Sequence, residues 1–330
     1  MKLAYLSFTE KGTQIANKIA ESFGGTVERC NVNYSLSGWT EKYFHEADGL
    51  IFVGAAGIAV RAIAPFLKSK VTDPAVIVVD ECGKYAIPIL AGHLGGGNDL
   101  ARKIGTVCGA LPVITTATDI NGVFAVDEWA KRQNCHLDHI HKIKTVSGKL
   151  LAGKEIRIRS EWEIAGESPE HVIFVDDEIY DVCLSISPKK EDALHLIPRI
   201  AVLGIGCRKG TPMENIEETF GAFLEQADIH EKSICMVASI DLKKEETGLL
   251  KFCENHGFPF VTYTVEELQQ TEGDFTPSAF VKSITGVGNV CERSAVLGGG
   301  VLYQKKFVGN GVTMALALRP FQPNWRWQDE

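Results

Sequence analysis

The chain has 330 residues, 45% hydrophobic and 23% charged, with a formal net charge of −8. That length exceeds one ordinary core and points to two or three domains. The acidic balance argues against nucleic acid as a partner, and the lack of any apolar run of roughly 18 residues argues against a spanning helix. The nine cysteines are scattered, none in a C-x-x-C pair, as expected of reduced thiols in a cytoplasmic protein.

The first ~110 residues alternate strand and helix patterns. KLAYLSF reads as a strand, followed by a helix from Thr9 to Ser22. Gly49–Gly54 is a short apolar run ahead of a helix over 58–67. Ala75–Asp80 and Tyr85–Leu90 flank an Glu81-Cys82-Gly83-Lys84 turn and read as a hairpin. The stretch AGHLGGGNDLARKIG follows, with Leu100, Ile104 and Val107 at helical spacing. It predicts a strand, a glycine loop and a helix N-terminus, where orphan N–H groups and the helix dipole favour an anion. A tight turn without a ligand fits the same pattern. PVITT (112–116) is a further strand, so the N-terminal part predicts a mostly parallel sheet covered on both faces.

Residues 119–197 change character. Helices are expected over 123–134 and 139–152, then short strands in EIRIR, HVIFVD and DVCLSIS, with a linker at 187–192. From Pro198 a second α/β unit begins: strand RIAVLGIG, a helix over 212–226, strand SICMVASI, a helix closed by Gly257, strand FVTYT, and an N-G hairpin at 309–311. Residues 321–330 read as a loose tail. The expected fold is therefore α/β: two doubly wound domains, 1–118 and 198–320, joined by a smaller α+β segment over 119–197.

Residues 54–105 (GAAGIAVRAIAPFLKSKVTDPAVIVVDECGKYAIPILAGHLGGGNDLARKIG) and PVITTATDINGVFAVDEWA resemble the N-terminal block of the cobalt-precorrin-5A hydrolases of anaerobic cobalamin biosynthesis. LGIGCRKG, ASIDLKKEETGLL and the segment from SAF to TGVGNVCERSAVL resemble that family's C-terminal domain. The resemblance implies hydrolysis of a δ-lactone on a cobalt-bearing tetrapyrrole, followed by carbon–carbon cleavage that expels acetaldehyde. It implies no protein-bound cofactor or metal, since the substrate carries the cobalt. Other cobalamin-pathway enzymes are possible partners.

Such chemistry needs a base, oxyanion donors and cations for peripheral carboxylates. His93, beside Gly95, Gly96, Gly97 and Asn98, is the first choice of base; a histidine satisfying a loop carbonyl is the alternative. Asp119 could orient His93 or act as the base itself, or it could cap a turn. Thr115 and Thr116 offer hydroxyls. Gly54, Gly57 and Arg61 repeat the strand–glycine–helix pattern, with Arg61 as a carboxylate clamp or a solvated helix charge. In the second unit, Gly204, Gly206, Arg208 and Lys209 form a candidate carboxylate cradle, with Lys243, Lys244 and Glu245 lining the same cleft or standing as an exposed charged turn. That G-x-G-x-x-x-G run is one residue off the dinucleotide fingerprint, and Asp241 comes too late for the ribose-binding acid. A nicotinamide-dependent reductase is thus the weaker alternative, and a non-catalytic corrinoid carrier a third reading. His136 and His139 are spaced for one helix face, but no second ligand cluster accompanies them.

Overall fold

A computed structural model describes residues 1–31, 35–69, 72–92, 95–188 and 192–327. The chain divides into two compact units, 1–128 and 129–330.

The first unit comprises β1 (Leu3–Ser7), α1 (Glu10–Phe23), β2 (Thr26–Arg29), α2 (Leu36–Glu46), β3 (Gly49–Val53), α3 (Ala56–Ile63), β4 (Ala75–Val79), β5 (Tyr85–Leu90), α4 (Gly97–Cys108), β6 (Leu111–Pro112), α5 (Ala117–Ile120) and α6 (Val126–Arg132), which runs across the unit boundary. Its sheet has the order β2-β1-β3-β4-β5-β6. The central strands β1, β3 and β4 are buried throughout, as near-continuous apolar runs demand. Alternate residues serve opposite faces: Tyr5, Ile51 and Ile77 pack with Ile19, Leu100 and Ile104 of α1 and α4. Leu6, Phe52 and Val76 pack with Trp39, Phe44 and Ile63 of α2 and α3. The domain is doubly wound, as expected. Sequence reading missed β2 and α2, whose residues are mostly half-buried or polar.

One pairing decides where the loops lie. β4 and β5 are antiparallel, with Val79 opposite Ala86 and Val76 near Leu90. β5 and β6 are parallel to each other. The carboxyl ends of β5 and β6 therefore lie at the edge of the sheet opposite the carboxyl ends of β1, β3 and β4.

The second unit continues with β7 (Cys135–Asp138), α7 (Ile143–Leu151), β8 (Ile156–Ser160), β9 (Val172–Phe174), β10 (Val182–Leu184) and β11 (Leu194–Pro198). These strands form a sheet of order β7-β11-β10-β8-β9, parallel except at β7. Then come β12 (Ala201–Cys207), α8 (Met213–Ala227), β13 (Ile234–Ile240), α9 (Thr247–His256), β14 (Phe260–Tyr263), α10 (Val265–Gln270), α11 (Ala279–Thr285), α12 (Cys291–Leu297), β15 (Val301–Gly309) and β16 (Val312–Leu318). The last sheet has the order β14-β13-β12-β16-β15. Phe220, Phe223 and Phe252 of α8 and α9 cover one face with Leu203, Ile205 and Met314. On the other face α12 lies on β12, β13 and β16. Ile186 joins the core beneath α8 and α9, and Trp162 packs against it, so the α+β segment shares a unit with the C-terminal domain.

Two expectations change here. Cys135–Asp138 is a strand, not helix, so His136 and His139 do not share a helix face; no group of three metal-ligating side chains is assembled among the described residues. Nor is the tail loose where it is described. Trp325 is 7% exposed and stacks on Trp129 at 5.3 Å, and Trp129 Nε1 donates to Asn324 O at 2.6 Å. Two backbone bonds join Ala165 to Pro323 O and to the Trp325 N–H. Aromatic burial ordered a segment that composition alone marks as a terminus.

Candidate active site

In the first unit, α4 brings two loops together. The glycine loop after β5 turns on Gly96 in the left-handed region, φ 75°, which glycine adopts without strain. Gly95 has no room for a side chain: a Cβ there would lie 2.5 Å from Ala91 Cβ. The N–H groups of Gly97 and Asn98, expected to face an anion, donate instead to Ala91 O (3.1 Å) and Gly92 O (2.9 Å). They close the loop on itself. His93, the first choice of base, lies outside the described residues.

The loop after β6 meets α4 from the other side. Asn98 is 1% exposed, and its Nδ2 donates to Thr116 Oγ1 at 3.1 Å and Asp119 Oδ2 at 3.0 Å. Arg102 Nη2 pairs with Asp119 Oδ1 at 2.5 Å, and its Nη1 with Asp99 at 3.2 Å. Asp119 is thus tied to the helix that follows the glycine loop. Thr115 is exposed beside it. Sequence reading overlooked Arg102, although it stands four residues after Asn98 and three after Asp99, on one helix face.

Gly95 also borders a cleft of about 420 Å³, which Glu46, Asp48 and Asp73 line. Three carboxylates make a poor seat for a polycarboxylate ligand. Asp48 accepts from the Lys2 N–H at 2.6 Å, and Asp73 caps the N–H groups of Lys68 and Ser69.

Gly54, Gly57 and Arg61 follow β3, at the opposite edge of the sheet from Asn98 and Asp119. Gly54 donates its N–H to Val79 O, and a Cβ there would strike the Phe8 ring at 2.7 Å. Gly57 is exposed. Arg61 is exposed and reaches Gly57 O of its own helix at 3.4 Å.

In the second unit the G-x-G run serves packing. A Cβ on Gly204 would lie 1.8 Å from Cys291 O, and one on Gly206 would lie 2.8 Å from Thr313 Oγ1. Gly204 brings β12 against the backbone of α12, and Gly206 brings it against the Thr313 side chain, so each has a packing reason to lack a side chain. Dinucleotide glycines leave room for a pyrophosphate; this run does not. Arg208 and Lys209 are exposed just beyond.

Lys243 is not exposed: it pairs with Glu246 at 2.9 Å, the two side chains 13% and 9% exposed. Glu246 Oε1 also accepts from the Gly210 N–H at 2.6 Å, tying the 208–210 turn to the 241–246 turn. Burial opposes the Glu246 charge, but the Lys243 ammonium and the Gly210 N–H outweigh it and hold the carboxyl below its ordinary range. Lys244 and Glu245 remain exposed. Glu246, the neighbour of the candidate Glu245, is the carboxylate that builds the turn.

Glu292 is fully buried and accepts from Thr276 N and Oγ1 and from Lys306 N, at 2.7–2.8 Å. It is a structural carboxylate. Burial pushes the Cys291 thiol up to about 12 and raises that of Cys207 as well, so neither is poised as a thiolate nucleophile. All nine cysteines are free thiols.

Each unit thus carries an α/β domain with polar loops after its strands, the architecture in which ligands bind at strand ends. The Cobalamin synthesis G N-terminal family model matches residues 38–119, and the Cobalamin synthesis G C-terminus model matches 201–317. The cobalt-precorrin-5A hydrolase of Salmonella typhimurium strain LT2 is 35% identical, covering 82% of this chain and 81% of that one. The cobalt-precorrin-5A hydrolase of Priestia megaterium is 32% identical, covering 96% and 88%. A solved cobalamin biosynthesis protein G homolog from Sulfolobus solfataricus is 22% identical over 97% of each chain, with a TM-score of 0.42. The chain belongs to the cobalt-precorrin-5A hydrolase family.

Proposed function

We propose that this protein hydrolyses cobalt-precorrin-5A to cobalt-precorrin-5B in anaerobic cobalamin biosynthesis. Water adds to the δ-lactone carbonyl and the ring opens to a carboxylate and a hydroxyl. Removal of the hydroxyl proton then lets the bridging carbon leave with its methyl as acetaldehyde. The bonding electrons pass into the conjugated macrocycle, which carries the cobalt as part of the substrate.

His93 is the base of this reading, and Asp119, bonded to Asn98 of the helix that follows the glycine loop, is the second group considered for it. Arg208, Lys209 and Lys244, all exposed, are the cations offered to peripheral carboxylates in the second unit. Glu245 stands among them as a further proton-transfer candidate. The reading includes a cytoplasmic location; no described helix is long and apolar enough to cross a membrane.

Coverage is the observation that carries this reading. Relatives named for this reaction match 82–96% of the chain, so both units come with the match. The reductase and carrier readings gain no such support. The test is purified protein with cobalt-precorrin-5A, following acetaldehyde with coupled alcohol dehydrogenase. One equivalent per substrate is expected. Tight binding without acetaldehyde would establish the carrier reading instead. His93→Ala is expected to bind substrate but to lose turnover, and full turnover would remove His93 as the base.

A further inference from the structure

We infer that Asn98 and Arg102 are positioning residues that lock the 116–119 turn onto the glycine loop, and that Asp119 is the anchor of that lock rather than the proton acceptor. The inference rests on the hydrolase reading for its effect on rate, but the lock is a feature of the fold and can be tested without turnover.

Asn98 touches both loops. Its backbone N–H holds Gly92 O at 2.9 Å, and its side chain sits so close under Gly92 that a Cβ there would lie 2.6 Å from Asn98 Oδ1. Its Nδ2 carries two hydrogens, and two acceptors from the other loop take them, Thr116 Oγ1 and Asp119 Oδ2. A residue 1% exposed and engaged in this way has no amide hydrogen left for a ligand. Asn98 was expected to bind substrate; the geometry makes it a joint.

Arg102 completes the joint from the next turn of α4. It grips the other Asp119 oxygen, while Asp99 holds its second nitrogen. The Asp119 side chain is 7% exposed, with each oxygen accepting from α4. This orients the carboxylate toward the helix and away from solvent, where a water or a substrate hydroxyl would have to arrive. A glycine-rich loop has many conformations available, and tying it and its neighbour to one helix restricts both. Misplacement by about 1 Å in such a site can cost on the order of a hundredfold in rate.

The experiment compares wild type with Asn98→Ala, Arg102→Ala and Arg102→Lys. Two quantities are read: hydrogen exchange of the peptide covering 115–122, and kcat and KM for acetaldehyde release from cobalt-precorrin-5A. In both alanine variants, exchange at Ile120 and Asn121, whose N–H groups bond Thr116 O and Ala117 O, is expected to rise at least about tenfold, with the β1, β3 and β4 amides unchanged. kcat is expected to fall at least about tenfold while KM stays within roughly threefold, with Arg102→Lys intermediate and added guanidinium restoring part of the Arg102→Ala rate. Unchanged exchange overturns the lock. Loosened exchange with wild-type kcat overturns the positioning role, since a merely structural contact would loosen without that split. If wild type releases no acetaldehyde, the hydrolase reading fails while the exchange data still decide the lock. Should either alanine variant not fold, Asn98→Ser and Arg102→Gln carry the same comparison.

Discussion

Replacing Gly204 by alanine separates a packing glycine from a ligand-binding one. The added Cβ would lie 1.8 Å from Cys291 O, 2.8 Å from Cys291 C and 2.9 Å from Ala295 N. All three are backbone atoms of α12, so no side chain can rotate away. Tight but tolerable Cβ contacts begin at 3.0–3.4 Å, so α12 must retreat by roughly 1.2–1.6 Å from β12. Overpacking of this kind costs about 3 kcal/mol, the upper part of the usual range. For a unit of about 200 residues that is roughly 6–12 °C in melting temperature. Gly210→Ala is the control. Its φ of 76° taxes a side chain by about 1 kcal/mol, but nothing stands within 4 Å of the new Cβ. The assay is thermal and urea unfolding of the full chain, monitored through the second unit. A Gly204→Ala protein as stable as wild type would falsify the packing account and return the G-x-G run to the ligand.

Other expectations follow from single contacts. His256 bridges Glu217 at 2.9 Å and Glu231 at 3.1 Å; burial lowers its pKa, but the two carboxylates outweigh that and raise it overall. A raised folded pKa means stability present below the unfolded value near 6.5 and lost as pH climbs through the folded one. His256→Gln should therefore destabilise most at about pH 6 and least at about pH 8, and a pH-independent difference in unfolding midpoint would count against the bridge. Glu292→Gln puts an amide N–H₂ against donors and should cost about 2–3 kcal/mol, read by urea unfolding. Trp325→Ala removes the partner stacked on Trp129 and should cost about 3 kcal/mol in the same assay; no change would mean the tail carries none of the stability assigned to it. Arg61→Ala should alter stability by less than about 0.5 kcal/mol and leave KM for cobalt-precorrin-5A unchanged, whereas a tenfold rise in KM would restore Arg61 to the site.

The architecture was legible where burial is two-sided. LAYLS, GLIFV and AVIVV are apolar runs bounded by turn residues, and each is a central strand. β2 and α2 were not, because TVER has no apolar run and LSGWTEKYFHE alternates polar and aromatic residues without a clean stripe. The strand Cys135–Asp138 falls between the two expected helices and was not identified; its pairing with β11 takes His136 off the helix face that the three-residue spacing with His139 suggested. In the site, Asn98 and Asp119 were both identified from sequence, but not the bond between them, which spans 21 residues. The glycines mislead in a consistent way. Gly204, Gly206 and Gly54 are small because chain or a ring packs against them, and sequence cannot distinguish a glycine that admits a neighbour from one that admits a ligand.

The hairpin between β4 and β5 has the largest consequence for function. Its turn was visible in the sequence, yet both glycine loops of the first unit were assigned to one ligand. Reversal at that hairpin sends β5 and β6 the other way, so the Gly54 loop and the Asn98–Asp119 cluster occupy opposite edges of the sheet. A five-residue strand spans about 16 Å, and the hydrogen-bonded sheet fills the space between. Arg61 and Asp119 thus stand at ends of the sheet separated by the length of its central strands. At that edge Arg102 is already engaged by two carboxylates, and the neighbouring cleft carries three more. The described acidic groups Glu46, Asp48, Asp73, Asp99 and Asp119 thus stand close to Arg102 and the glycine loop. A polycarboxylate needs cations, and Arg208, Lys209 and Lys244 stand exposed after parallel strands of the second unit. If those three cations bind the substrate, a fragment holding the first unit alone should bind cobalt-precorrin-5A poorly even with its loops intact, and a fragment that binds as tightly as the full chain would remove them from the site.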